Sequence, residues 1–255
     1  MLDPRFLSLP IAHRAFHDRT KGRPENSLAA IRAAIAAGYG IEIDLQLSAD
    51  GVAMVFHDYS LDRLTDATGP LHARSAAELQ AICLRDADEG IPTFAEVLDL
   101  VAGQVPLLVE IKNQDDPDGA GLGPLEQAAA EALARYQGPV AVMGFNPASI
   151  ALFHAAAPAV AVGLTTYAEW SAEDFPTLSE DQRVRLRGIA DYDRVGACFI
   201  SHHWKDLGMA RVAALKAEGA HILCWTIRSG AEEAKAREIA ENVTFEGYAS
   251  ALPDA

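Results

Sequence analysis

The stretch "EIDLQLSADGVAMVFHD", residues 42–58, sets acids, an Asp-Gly pair and a His-Asp pair among residues that otherwise read as buried strand. Alternation puts Glu42, Asp44 and Gln46 on one face of a strand, with Ile41, Ile43, Leu45 and Leu47 on the other. Asp50-Gly51 suits a two-residue hairpin turn. That turn predicts a strand returning over "VAMVFHD", with His57 directly across from Asp44. The segment therefore reads as one strand of the main sheet carrying a hairpin arm at its end, not as two strands of that sheet.

Outward from this strand, short apolar runs recur: "LPIAH", "YGIEIDLQL", "VPLLVEIK", "PVAVMGF", "AVAVGLTTY", "GACFISHH", "HILCWTI" and "NVTFEGYAS". Helical stretches lie between most of them, among them "SLAAIRAAIAAG", "FAEVLDLVAG", "LEQAAAEALARYQG" and "MARVAALKAEG", each ended by glycine. Strand–helix alternation predicts a parallel sheet wound with helices. Eight runs in 255 residues fit a TIM (β/α)8 barrel over residues 1–255 as one domain, with the hairpin arm after the second strand. An open doubly wound sheet fits the alternation nearly as well, because strand order is not written in the pattern.

The composition narrows the function classes. An apolar fraction of 50% with 22% charged residues is that of a soluble globular protein. A net charge of -15 repels nucleic acid and anionic membranes, so any phosphate site must bring its own local cations. The N-terminus lacks the pattern of a secretory signal, and "ASIALFHAAAPAVAVGLTTY" reads as a helix and a strand rather than a membrane span. Cys83, Cys198 and Cys224 lack metal spacing and read as reduced core thiols, which places the chain in the cytoplasm.

In a barrel, function collects where strands end. His13 and Arg14, Glu42 and Asp44, Glu110 and Lys112, Phe145 and Asn146, His202 and His203, and Trp225 all stand at such ends. Glu42 and Asp44 on one face repel unless a cation lies between them. Glu110, inside the apolar run "PLLVEIK", is either paired with a buried base or a third ligand. An oxygen-only set favours Mg²⁺ or Ca²⁺ over zinc. His13 and His57 suit the two proton transfers of a hydrolysis, while Arg14 and Lys112 supply the local cations.

Taken together, "IAHRAFHD", "RPENSLAAIRAAIAAGYGIEIDLQLSADGVAMVFHDYSLDRLTDATG", "IPTFAEVL", "PLLVEIK", "GFNP" and "CWTI" resemble a bacterial, cytoplasmic-type glycerophosphodiester phosphodiesterase. The resemblance implies a TIM barrel that hydrolyses glycerophosphodiesters to sn-glycerol 3-phosphate and an alcohol with a divalent metal. It places Glu42, Asp44 and Glu110 as metal ligands, and His13 and His57 as the acid–base pair. Arg14 and Lys112 match the phosphate-binding cations, Trp225 an aromatic on the glycerol side, and Glu25 and Asn26 a supporting motif. For Glu25 and Asn26, helix capping is an equal alternative. His202 is an expected substrate contact.

Three departures stand out from the family pattern. The loop over residues 15–23 is lengthened, "WTIR" puts Arg228 where an amide is expected, and "VTFEGYASALP" replaces a strand ending in Thr-Asp. Rival functions are a barrel phosphodiesterase acting on another phosphodiester or phospholipid, and a catalytically silent glycerophosphodiester-binding protein. The expected partner is the small-molecule substrate, with neither nucleic acid nor a membrane span; the helices could also supply the face of a homodimer, although nothing in the sequence marks one.

Overall fold

The computed structural model describes residues 1–114, 121–171, 173 and 177–253. Helix α1 (Arg5–Ser8) precedes strand β1 (Ile11–Ala12) and helix α2 (Leu28–Ala37). Strands β2 (Gly40–Leu47) and β3 (Ala53–Val55) lead to α3 (Ala76–Ala81), α4 (Phe94–Val101), β4 (Leu107–Ile111) and α5 (Pro124–Leu133). There follow β5 (Val140–Gly144), α6 (Pro147–Ala156), β6 (Ala161–Thr166), α7 (Glu180–Arg187) and β7 (Phe199–His203). The chain ends with α8 (Ala210–Ala217), β8 (His221–Ile227), α9 (Gly230–Ala236) and β9 (Asn242–Phe245).

Each predicted run forms a strand, and the order β1-β9-β8-β7-β6-β5-β4-β2 closes into a ring because β1 also pairs with β2. All eight ring pairings are parallel. This is a TIM barrel, and the open doubly wound sheet is excluded. β3 bonds antiparallel to β2 outside the ring, as the hairpin arm.

Period two along each strand sorts side chains between two cores. Ile41, Ile43 and Leu45 pack outward against helices, in a cluster with Ile31, Val97 and Val101. Leu108, Ala141, Met143, Phe199 and Leu223 fill the barrel with Ile11, and Leu2 and Phe6 join them at its N-terminal end. Gly163 makes room for this filling, since a Cβ there would stand 2.5 Å from the Phe199 ring. A third cluster, including Met54, Phe56, Leu61, Leu79, Leu84 and Ile91, packs under the arm and the segment leading to α4.

The helices begin where local chemistry starts them. Ser27 caps α2, and Ser75 and Thr93 form capping boxes with Glu78 and Glu96 at α3 and α4. Helix α5 stops at Leu133 rather than running to Gly138, and beyond it the Tyr136 hydroxyl accepts from Gly103 N at 3.1 Å. Cys224 is buried, Cys198 half-buried and Cys83 exposed, so the expected core placement fails for Cys83, whose bridge to Gly90 lies on the loop surface. Among the described residues, no helix is long and apolar enough to cross a membrane.

The hairpin register differs from expectation. Leu45 pairs with Val55, Gln46 with Met54 and Leu47 with Ala53, and Phe56 N donates to Asp44 O at 3.0 Å. Asp44 and His57 are therefore not cross-strand partners. A two-residue type I′ turn needs positive φ at both central positions, but only Gly51 adopts it, at 81°. Asp50 instead accepts from Ser48 Oγ and from Ala76 N at the start of α3. The loop holds three residues, closed by Ser48 N to Val52 O at 3.0 Å.

Candidate active site

The C-terminal strand ends carry the charged groups. Parallel pairing of β2 with β4 sets Asp44 level with Glu110, and Glu42 lies one pleat below on the same face. Their carboxylates converge to within 4.8 Å of one another, all buried. Burial, with the charges of Asp44 and Glu110, drives the Glu42 carboxyl well above its ordinary range. Burial also opposes ionisation of Asp44, but the charges of His57, Lys112 and Arg14 and a hydrogen bond from Asn26 outweigh it and hold Asp44 low. Three acids crowded this closely fit a divalent cation, because a shared cation removes the repulsion that otherwise protonates one of them.

The turn after β1 wraps this triad. Arg14 N donates to Glu42 Oε2 at 2.7 Å, with Arg14, Ala15 and Asn26 all at positive φ. Such conformations cost free energy in non-glycine residues and persist where the surroundings enforce them. Asn26 Nδ2 donates to Asp44 Oδ2 at 2.9 Å, and Asn26 Oδ1 accepts from Asp44 N at 3.3 Å. Because Ser27 is the cap of α2, Glu25 and Asn26 face the site rather than closing the helix. Glu25 receives Arg14 at 2.7 Å and both Nη atoms of Arg63 at 2.8 Å.

Both histidines are held in the same way. His13 Nδ1 lies 2.6 Å from Glu246 Oε2, and His57 Nδ1 lies 2.6 Å from Asp58 Oδ1. An ionised carboxylate only accepts, so Nδ1 of each ring carries a proton and Nε2 is the nitrogen left to give or take one. Burial lowers the His13 pKa, aided by Arg14 and opposed by Glu246. Lys112 Nζ stands 3.3 Å from His57 Nε2, 2.7 Å from Glu110 and 3.5 Å from Asp44. Burial disfavours the Lys112 charge, but Glu110 and Asp44 overcome this and hold the ammonium protonated.

A cavity of 210 Å³ joins His13, Arg14, His57, Lys112 and Trp225 to the three acids. Trp225 is fixed there by Nε1 donating to Ser201 O at 2.9 Å. His202 is not among the residues lining this cavity. It is fully buried, with Nδ1 2.8 Å from Thr166 Oγ1, and burial pushes its pKa down to about 4. A second cavity of 710 Å³ shares His57, Glu110, Lys112 and Phe145 with the first.

Glu246 and Asp58 were not singled out from the sequence. Asp58 was signalled by its adjacency to His57, and Glu246 by the departures in the last two strands. Arg228 Nη2 binds Glu246 Oε1 at 2.7 Å, and His17, from the lengthened loop, lies 3.7 Å from its Oε2. The three departures thus meet around one carboxylate. Burial opposes its ionisation, but the hydrogen bond from His13, with His17 and Arg228 close by, prevails and keeps it low. The rest of the loop closes on itself, Asp18 N to Arg23 O at 2.7 Å, with Phe16 packed on Tyr39.

The fold and site together define a (β/α)8 barrel whose strand ends present a carboxylate triad between two carboxylate-bound imidazoles. Residues 13–242 match the glycerophosphoryl diester phosphodiesterase family, and the chain belongs to it. A glycerophosphodiester phosphodiesterase of Caldanaerobacter subterraneus subsp. tengcongensis is 33% identical over 62% of this chain and 66% of its own. Glycerophosphodiester phosphodiesterase 1 of Rattus norvegicus is 35% identical over 48% of this chain and 39% of its own. The chain thus spans less than two thirds of the length of these relatives. An Oleispira antarctica phosphodiesterase in complex with the product sn-glycerol-3-phosphate superposes with a TM-score of 0.73 at 24% identity, covering 93% of each chain. The Thermotoga maritima glycerophosphodiester phosphodiesterase gives 0.70 at 19%, over 93% of this chain and 94% of its own.

Proposed function

We propose that this chain hydrolyses glycerophosphodiesters to sn-glycerol 3-phosphate and an alcohol, with Mg²⁺ or Ca²⁺ held by Glu42, Asp44 and Glu110 and with His13 and His57 exchanging the protons. The observation that carries the proposal is the convergence of two imidazoles, each with Nδ1 on a carboxylate, upon one buried acid triad. The bound ion supplies charge neutralisation at the phosphate oxygens. Arg14 and Lys112, both beside Asp44, bind and orient the phosphate. One imidazole takes the proton of the attacking hydroxyl at Nε2 while the other gives a proton to the leaving oxygen. Asp58 and Glu246 hold Nδ1 of each ring and so leave Nε2 for the proton transfer, and Trp225 lines the glycerol side.

The test is glycerol 3-phosphate release from a panel of glycerophosphodiesters, with and without chelator. Release is expected, abolished by chelator and restored by Mg²⁺ or Ca²⁺. His57→Ala is expected to lower turnover by about 10²-fold or more. Binding without chelator-sensitive release would favour a silent binding protein, and near-normal turnover by His57→Ala would remove that residue's role.

A further inference from the structure

The 710 Å³ cavity begins at His57, Glu110 and Lys112, so an alcohol leaving the phosphate on that side departs into it. Its far end carries a charge arrangement that the hydrolysis does not use. Arg185, from α7, and Arg194 both donate to Asp191 Oδ1, at 2.7 and 2.6 Å. Asp191 is buried, whereas the two arginine side chains are 58% and 52% exposed. Two guanidiniums on one carboxylate leave a net positive charge, and each has five N–H donors of which Asp191 engages one. The other acids among the described lining residues, Asp58 and Glu110, lie at the catalytic end, tied to Arg63 and Lys112. This local positive charge sits in a chain of net charge -15.

Tyr59, Phe145 and Trp170 also line this cavity, and the Phe145 ring packs edge-on against Trp170 at 6.2 Å, so the cavity has an aromatic wall besides the two guanidiniums.

We infer that the large cavity is the leaving-group subsite and that it selects an alcohol bearing its own anionic group, a phosphate or a carboxylate, which Arg185 and Arg194 bind. The inference rests on the proposed hydrolysis and adds the substrate class. Four diesters test it: glycerophosphoglycerol phosphate and glycerophosphoglycerate as anionic substrates, glycerophosphoglycerol as the neutral one and glycerophosphocholine as the cationic one. The expected kcat/KM for the anionic diesters is about tenfold above the neutral one, given two half-exposed charge contacts, with the choline diester lowest. The preference should shrink as ionic strength rises, a readout that needs no variant. The double variant Arg185→Gln/Arg194→Gln should reduce the anionic-to-neutral ratio about tenfold. An equal kcat/KM across the panel, a choline preference, or an unchanged ratio in the variant would overturn the inference alone. Absence of release from every diester would overturn the hydrolase proposal, and this inference with it.

Discussion

At the scale of single residues, the site depends on partners distant in sequence. Glu246 lies 233 positions from His13, so neither periodicity nor spacing could have joined them, although the unusual last strand was visible. The acids of the triad were legible because their cost is local: an acid in an apolar strand needs a partner wherever the strand goes. Glu246→Gln keeps the shape and removes the charge. It is expected to lower kcat by about tenfold, as loss of an orienting partner does. Because Glu246 raises the His13 pKa against burial, the limb of the pH–rate profile belonging to His13 should move to lower pH. A profile unchanged in both height and position would show that Glu246 does not serve His13.

His202 gives a second prediction, on stability. Its pKa is depressed to about 4 by burial, whereas the unfolded chain binds that proton near pH 6.5. Between these values the unfolded state holds more protons, so this contribution is present above about pH 6.5 and is lost as pH falls toward 4. The wild type should lose roughly 2–4 kcal/mol more over that window than His202→Gln, measured by urea unfolding at several pH values. Equal losses would mean that His202 is not buried neutral.

At the scale of elements, the strands were legible because period two is a property of the chain itself, and the hairpin register was not. Asp50-Gly51 is compatible with more than one loop length. The choice was made by Asp50 accepting from Ala76 N, a contact with a helix that the local pattern does not contain. His57 reaches the site by a different route: the chain leaves the ladder after Val55, and Gln46 Nε2 fixes the His57 carbonyl at 3.2 Å. Gly51 has open space around its missing Cβ, so replacement is opposed only by its positive φ. Gly51→Ala should cost about 1–2 kcal/mol, read as a lower urea midpoint at unchanged slope. A neutral result would mean that the turn readily adopts another form.

At the scale of the whole molecule, closure of the barrel is the property the sequence could not establish, since a parallel sheet with the same eight strands can stay open. β1 pairs with β9 at the seam, and beside it buried Asn242 ties β9 to the segment before β1, its Nδ2 donating to Phe6 O and Leu9 O, both at 2.7 Å. Asn242→Leu strips both carbonyls of that donor and should destabilise the fold by about 2–4 kcal/mol, checked by equilibrium unfolding. An unchanged midpoint would assign closure to the strand pairings alone.

The two apolar cores outside the barrel's interior have unequal duties. The larger one, between strands and helices, holds the ring with the acid triad and His13, whereas His57 belongs to a segment packed on the small cluster around Phe56 and Leu79. Regions with fewer buried contacts open more readily than the global unfolding of a protein. The smaller core is therefore expected to open first and carry His57 away from the triad. On warming, turnover should fade while circular dichroism still reports an intact barrel, and cooling should restore it without refolding.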